Sequence, residues 1–583
     1  MGRTALALFL APWLAGCGVY PPPDAVRAPG GLESVEQRFG IKPLNPESKV
    51  PLVRQALEEI EKTDLFRYYR GTTYRLTEGN RLPPGWLLQT PNVWGRAAAD
   101  VPFFPVDCQN CDPDFRLPSC VVDPDCDHGK CVPLESSVGR PGSPARKFCV
   151  GHSDTVVDVF YGLVASAERA VDIAMLQPAA DFRFLAALRN AMTRLAYSGL
   201  PVTVRVIVGD YPPEGFDAAA LLRELVRDAG AAPNSRLRLY VGAIRSCNGD
   251  ARCRALSWNH AKIVAVDGRR AIVGGHNMWT PDYLAEAPVH DVSMEADGPA
   301  AEDGHHFADA LWDFLCDQQR SALINAWYSY VAGVPGIGLE CVSKTNFRGG
   351  PQSDTGGIPI LAVGRLASGI ARVFADQSLV ARDLMLGAAT RTIRMLQQDV
   401  AFAVSALGGA GELSWPESVL DKLAWLIADK HGDVFLVLSN YGAAGPVGSY
   451  SNKVRIETVA EKIRDVVQRQ SGLSEPQLSA LLCQRLHLAP LRFGPDPTWP
   501  EDRPIGVHAK FWMVDERAFY IGSENLYPAE LQEFGYIVED RSAAAQVRLD
   551  YWDQAWKWSQ AAAISGDGAP SCIFERLASR RGS

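Results

Sequence analysis

The sequence predicts an α/β fold of two pseudo-symmetric α/β/α halves, each a mainly parallel mixed sheet flanked by helices, with an active site at their interface. Three observations carry this. One stretch of letters occurs twice. Each copy ends a matching series of alternating strand-like and helix-like segments. The chain of 583 residues, 47% apolar and 21% charged, is long enough for two such halves around a deep core.

The repeated stretch reads NHAKIVAVDGRRAIVGGHN from Asn259 to Asn277 and VHAKFWMVDERAFYIGSEN from Val507 to Asn525. With His260 set against His508, eight of eighteen letters are identical at a constant offset of 248. Ahead of the first copy stand a strand-like run at 170–176, a helical pattern at 182–199, a strand at 202–210, a helix at 219–230 and a strand at 237–243. Ahead of the second stand a strand at 391–396, a helix at 416–432, a strand at 433–439, a helix at 459–472 and an apolar run near 486–493. Strand and helix alternating at this spacing predict βαβ units. Each motif itself reads as two strands joined by a tight turn.

The chain divides accordingly. Arg3 followed by ALALFLAPWLAGC has the layout of a secretory leader, and Leu14-Ala15-Gly16-Cys17 fits a lipoprotein cleavage site with Cys17 as the lipid-attached residue. Residues 1–16 are then the leader and 17–48 a Pro-rich tether. The first half spans 49–345, the second 346–575, and 576–583 form a tail. No apolar run reaches eighteen residues, so no membrane-spanning helix is expected. Setting Cys17 aside, twelve of the thirteen cysteines remain, an even number that suits disulfides in an exported protein. Cys108, Cys111, Cys120, Cys126, Cys131 and Cys149 crowd into a stretch at about 105–149. With CxxC occurring once, this reads as a disulfide-stapled surface insertion rather than a zinc site. Cys247 with Cys253, Cys316 with Cys341 and Cys483 with Cys572 are the further expected pairs.

Charge and motif chemistry narrow the function. A formal net charge of −9, with no dense Lys/Arg cluster near either motif, counts against a nucleic-acid partner. His260 and Lys262, like His508 and Lys510, stand at i and i+2, so in a strand both side chains leave one face. Asp267 and Asp515 fall at an odd step and read as motif supports. Gly274, Gly275, Gly522 and Ser523 allow close approach of backbone to something small and polar, and Asn277 and Asn525 supply amide donors. His, Lys and Asn on one face suit a phosphate. Breaking a phosphodiester by a covalent route needs two imidazoles, one to attack phosphorus and one to protonate the leaving alcohol. Duplication supplies the second.

H-x-K-x4-D-x6-G-[GS]-x-N, present twice, resembles the phospholipase D superfamily. SWNHAKIVAVDG, GGHNMWTPDYL, FYIGSENLYPAELQEFGYIVED, PGWLLQTPNVWG, IPILAVG and MLQQDV look most like the secreted phospholipases D of actinobacteria, from about residue 50 to 575. The Cys-rich insertion and the Cys17 site depart from that pattern. The resemblance implies hydrolysis of phosphatidylcholine-type lipids to phosphatidate and head-group alcohol. It also implies head-group exchange with other alcohols through a phosphohistidine. It implies no metal and no organic cofactor, a monomer, and a phospholipid substrate at a membrane or micelle surface, with the protein exported and lipid-anchored or secreted. Its motif residues fall on His260, Lys262, Asp267, His508, Lys510 and Asp515, with His260 as nucleophile and His508 as acid. The downstream carboxylates supporting the histidines fall on Asp291 and Glu533, where relatives tend to have Asp at the second position. A nuclease and a cardiolipin-synthase-like phosphatidyltransferase are the alternatives within the same superfamily. Trp279, Tyr283, Leu284, Leu526 and Tyr527 are candidates to line the mouth.

Overall fold

Both copies of the repeated stretch fold as hairpins. Strand Ile263–Val266 pairs with Arg270–Gly274, and Lys510–Val514 with Ala518–Gly522. The turns require positive φ at two successive residues, Asp267 and Gly268 in one copy and Asp515 and Glu516 in the other. The computed structural model describes residues 35–127, 129–211, 215–247, 257–318, 324–345, 357–367, 369–371, 374–404, 412–566 and 569–581.

Around each hairpin the alternating segments build a sheet. The first runs Trp327–Val331, Arg238–Ser246, Thr203–Gly209, Ala170–Leu176, Ile263–Val266, Arg270–Gly274, Asp291–Asp297 and Leu87–Thr90. The second runs Leu486–Pro490, Asp433–Leu438, Thr392–Gln397, Lys510–Val514, Ala518–Gly522, Gln532–Val538, Ile358–Leu366 and Tyr74–Asn80. Six strands recur in the same order in the two sheets, so the duplication seen in the letters is a duplication of topology. The expectation of mainly parallel sheets needs correction. Parallel pairing is confined to the three βαβ strands of each half, and every other pairing in these two sheets is antiparallel. The cause is local: the motif hairpin and the strand after it return without a crossover helix.

Helices cover the sheets, Phe182–Ser198 and Ala218–Leu225 in the first half and Gln377–Gly387, Glu417–Ala428 and Ile456–Ser471 in the second. Glu475–Arg485, absent from the sequence reading, begins with Ser474 bonded to Gln477. Helix Ala300–Asp317 packs between the halves: Phe307 meets Phe534 at 5.1 Å in a core shared by both sheets.

The expected boundaries are crossed at both ends. Helix Leu52–Glu61 buries Leu52, Val53, Ala56 and Ile60 in the core of the second half. Strand Tyr74–Asn80 pairs with Ile358–Leu366 there, covering an edge that would otherwise leave backbone groups unpaired. The stretch 49–80 therefore belongs structurally to the second half. The described part of the expected tether, 35–48, is also packed: Leu44 is buried and Arg517 donates to the Pro46 carbonyl. Helix Ile573–Arg581 runs from the second half, where Phe574 is buried, into the described part of the expected tail.

The Cys-rich insertion carries the hairpin Lys130–Leu134 with Arg146–Val150 and the disulfides Cys108–Cys111, Cys120–Cys131 and Cys126–Cys149, so its sulfurs are not free to bind zinc. Buried Arg183 ties it to the body, pairing with Asp154 at 2.9 Å and donating to the carbonyls of Phe104, Phe115 and Leu284. Cys316–Cys341 and Cys483–Cys572 form as expected. Cys253, the leader and Cys17 lie outside the described residues. No helix among the described residues is long and apolar enough to cross a membrane.

Candidate active site

Just ahead of each motif histidine, the backbone of one half pairs with the other. The His260 amide donates to the Gln532 carbonyl at 2.9 Å, and the His508 amide donates to the His290 carbonyl at 2.7 Å. Gln532 and His290 each precede a candidate carboxylate. The pairing therefore crosses the supports between halves. His260 Nδ1 lies 3.0 Å from both Glu533 oxygens, and His508 Nδ1 lies 2.8 Å from Asp291 Oδ2. With Nδ1–H held by a carboxylate, Nε2 of each ring is left free for chemistry. The two rings stand edge to face, centroids 6.3 Å apart, close enough for one small group to touch both.

Glu533 reaches its histidine despite the extra methylene. Ser523 Oγ accepts from the Phe534 amide at 3.0 Å and donates to Glu533 Oε2 at 2.5 Å, which fixes the carboxylate. The matching position is Gly275, where a Cβ would fall 1.9 Å from Asp291 Oδ1. Close approach to something small and polar is thus right for Gly275, but the partner is the protein's own carboxylate. At Gly274 a Cβ would meet Ser293, and at Gly522 it would meet Tyr520 and Gly535, so these two serve strand contact.

The motif lysines and asparagines are buried as well. Lys262 and Lys510 are buried, each ammonium donating to the carbonyl of its own histidine, His260 or His508. Asn277 is fully buried, and neither its side-chain oxygen nor its nitrogen has a hydrogen-bond partner. Asn525 Oδ1 is likewise unpartnered, while its Nδ2 donates to Tyr527. Orphaned buried amides beside two ammoniums fit an oxyanion ligand.

Asp267 and Asp515 are remote from this chemistry. Asp267 accepts from the amides of Glu168, Arg169 and Ala170, and Asp515 from those of Thr390, Arg391 and Thr392 and from the Thr390 hydroxyl. Each ties its hairpin turn to the start of the neighbouring strand.

Burial sets the charge state. It lowers His260 to about 4 against the upward pull of Glu533, with Lys262 and Lys510 pushing further down. His508 falls well below its ordinary value through burial and then Lys510, against Asp291. Lys262 is lowered strongly by burial and by Lys510, and Lys510 falls to about 7 by burial. Burial pushes both carboxylates up, but pairing with His508 for Asp291 and with His260 for Glu533 prevails and both end below their usual range. Burial thus biases the imidazoles toward the neutral form, and an arriving phosphate would favour the imidazolium an acid step requires.

Of the neighbours, Tyr283 and Trp279 were read as lining the mouth, and Tyr450, Asp282 and His276 escaped the sequence reading. Tyr283, a candidate for the mouth, is buried with its hydroxyl 3.0 Å from His508 Nδ1. Tyr450 meets the His508 ring edge to face at 5.3 Å. Asp282 of the first half accepts from the Val447 and Gly448 amides and the Tyr450 hydroxyl of the second. His276, inside the first motif, bridges Ser293 and Thr90 at 2.7 Å each. Trp279 is buried and donates to Pro178. Only spacing within the repeat could have been read in advance; these contacts join segments far apart in the chain.

No family model matches the chain. It is 29% identical over 561 residues to phospholipase D of Streptomyces antibioticus, covering 88% of this chain and 89% of that protein. Solved structures with some likeness include a phosphatidylserine synthase of Haemophilus influenzae (TM-score 0.42, 12% identity, 69% of this chain and 84% of that one). Another is a polyphosphate kinase of Porphyromonas gingivalis (TM-score 0.36, 11% identity, 73% of this chain and 50% of that one). Two H-x-K-x4-D motifs thus come face to face in one buried site, in a chain that is similar to a phospholipase D along most of its length.

Proposed function

We propose that the protein cleaves the distal phosphodiester bond of phosphatidylcholine-type glycerophospholipids, giving phosphatidate and the head-group alcohol. The supporting observation is the crossed pair of supported histidines around the unpartnered amide of Asn277. Nε2 of neutral His260 attacks phosphorus while Nε2–H of protonated His508 gives its proton to the departing alcohol oxygen. A P–N bond forms and the P–O bond to the head group breaks. Lys262, Lys510, Asn277 and Asn525 hold the phosphoryl oxygens. His508, now neutral, takes the proton of a water or alcohol that attacks phosphorus and frees His260. Water yields phosphatidate, and an added alcohol yields the exchanged phospholipid.

The protein is read as exported. The five disulfides among the described residues support that, and attachment through Cys17 rests on the leader sequence. The test is incubation with phosphatidylcholine with and without ethanol. Choline, phosphatidate and phosphatidylethanol are expected; diacylglycerol as primary product, or choline with no phosphatidylethanol at any ethanol concentration, refutes the reading. Quenching His508→Asn with a substrate whose leaving group needs no proton should trap phosphate on His260, and label on His508 in a His260→Asn variant would reverse the two roles.

A further inference from the structure

The loop Asp64–Thr73 displays large apolar side chains to solvent. Leu65 is 82% exposed, Phe66 78% and Tyr68 68%, the three most exposed residues of this kind in the described protein save Val121. Scattered exposed apolar residues are ordinary, but three within four positions are not. The loop is also held in shape. The buried Asp64 carboxylate accepts from the Tyr68 and Tyr69 amides at 2.9 and 2.7 Å and from the Tyr74 hydroxyl at 3.2 Å. The Asp64 carbonyl accepts from the Arg67 amide at 2.9 Å, with Arg67 at φ 57°. An internal carboxylate thus fixes a loop whose apolar side chains face away from the protein.

Its place in the sheet is informative. Glu533, which supports His260, pairs in register with Arg365, and Val363, two residues on, pairs with Tyr74. Strand Tyr74–Asn80 therefore begins toward the active-site end of the sheet. The loop precedes Tyr74, two strands across from Glu533, or roughly 10 Å at the usual strand spacing. Its exposed charges are basic. Arg67 and Arg70 are exposed, no acidic residue lies between Asp64 and Glu78, and Glu61 is only at the limit of pairing with the two arginines, at 4.0 and 3.9 Å.

We infer that this loop is a docking element for a phospholipid bilayer, Leu65, Phe66 and Tyr68 entering the interface and Arg67 and Arg70 meeting lipid phosphates. Amphipathic aromatics settle at the head-group level, and nearby cations add attraction to anionic lipid. The choice of partner rests on the site's reading as a phospholipid-cleaving one. The geometry would present the active-site end of the second half to the membrane.

The test uses the full chain carrying Cys17→Ala, so that no lipid anchor contributes. This protein and a Leu65→Ser, Phe66→Ser, Tyr68→Ser variant are sedimented with phosphatidylcholine vesicles, with and without phosphatidylglycerol. Both are also assayed on those vesicles and on dispersed short-chain phosphatidylcholine. The variant should bind vesicles and act on them roughly tenfold less or worse. On dispersed substrate it should stay within about twofold of the parent. Arg67→Gln with Arg70→Gln should remove mainly the gain from phosphatidylglycerol. Equal vesicle binding by parent and variant overturns the inference, as does an equal fall on both substrates, which would make the loop part of the site's scaffold. A concentration-dependent dimer lost in the variant, without vesicle binding by the parent, would assign the loop to a second copy. Should neither substrate be cleaved, the proposed activity fails while sedimentation still decides the docking.

Discussion

Replacing Glu533 by glutamine changes one atom, yet the surroundings predict a large loss. The Ser523 hydroxyl accepts from the Phe534 amide, so its proton is committed to Glu533 Oε2. An amide with its oxygen toward Ser523 sets its NH2 at the Oε1 position, 3.0 Å from His260 Nδ1, leaving at that nitrogen a donor in competition with the amide oxygen, also 3.0 Å away. Where the NH2 prevails, Nδ1 accepts, the ring proton moves to Nε2, and the lone pair aimed at phosphorus is lost. Loss of the carboxylate charge also removes support for any imidazolium. The expected fall in kcat for Glu533→Gln is about a thousandfold to ten-thousandfold, on the order of 4 to 5.5 kcal/mol. The sharper test is rescue. Adding Ser523→Ala removes the group that orients the amide, lets its oxygen face His260, and should recover about tenfold, although Ser523→Ala alone costs activity. The assay is choline release from dispersed substrate, with phosphohistidine trapping as a second readout. Retention of more than about a tenth of parental activity in Glu533→Gln would refute the account. No recovery in the double variant would assign the loss to charge rather than tautomer.

Three further outcomes follow from the same geometry. With His260 lowered to about 4 and Lys510 to about 7, the nucleophile stays neutral down to acidic pH while Lys510 loses its charge on the alkaline side. His508, the required acid, is also lowered, so the kcat/KM profile on a soluble substrate should be bell-shaped and displaced to the acid side, with its alkaline limb no higher than about 7; an acid limb at the ordinary histidine value would contradict it. Gly275→Ala would put a methyl on the Asp291 carboxylate, so activity should fall about a hundredfold or more while thermal unfolding shifts little; near-normal activity would mean Asp291 can move without consequence. Asp515→Ala strips four donors of their acceptor and should destabilise by about 2–4 kcal/mol, read as a lower Tm, with KM little changed in the molecules that remain folded.

How much of this could be read from letters differs by feature. The repeat was legible because identical chemistry must be held at identical spacing, and His260 with Lys262 did come to one site with His508 and Lys510. The supporting roles of Asp267 and Asp515 were legible from strand parity alone. Sheet direction was not, since the letters of Asp291–Asp297 or Gln532–Val538 do not say whether the strand returns by a hairpin or a crossover. The place of Tyr74–Asn80 in the second sheet was hidden for a related reason: an edge strand is recruited by an open edge, wherever in the chain it lies. Tyr283 was read as a rim residue because sequence gives its proximity to Asn277 but not the turn Thr280–Tyr283 that aims its hydroxyl at His508.

The crossing of supports gives duplication a stricter meaning than two half-sites side by side. Had Asp291 held His260, each half would own a complete histidine-carboxylate pair and need the other only for the second imidazole. Instead His260 takes its carboxylate from Glu533 and His508 takes its from Asp291, and the backbone bonds from His260 to Gln532 and from His508 to His290 impose that exchange. Tautomer, orientation and charge of each histidine thus depend on the seam between halves staying closed. The same seam buries both lysines and both rings, and burial lowers the imidazoles far enough to keep a nucleophile neutral. Opening it by a few ångströms would at once uncouple the supports, hydrate the lysines and raise the histidines, so catalytic competence is a property of the interface and of neither half alone.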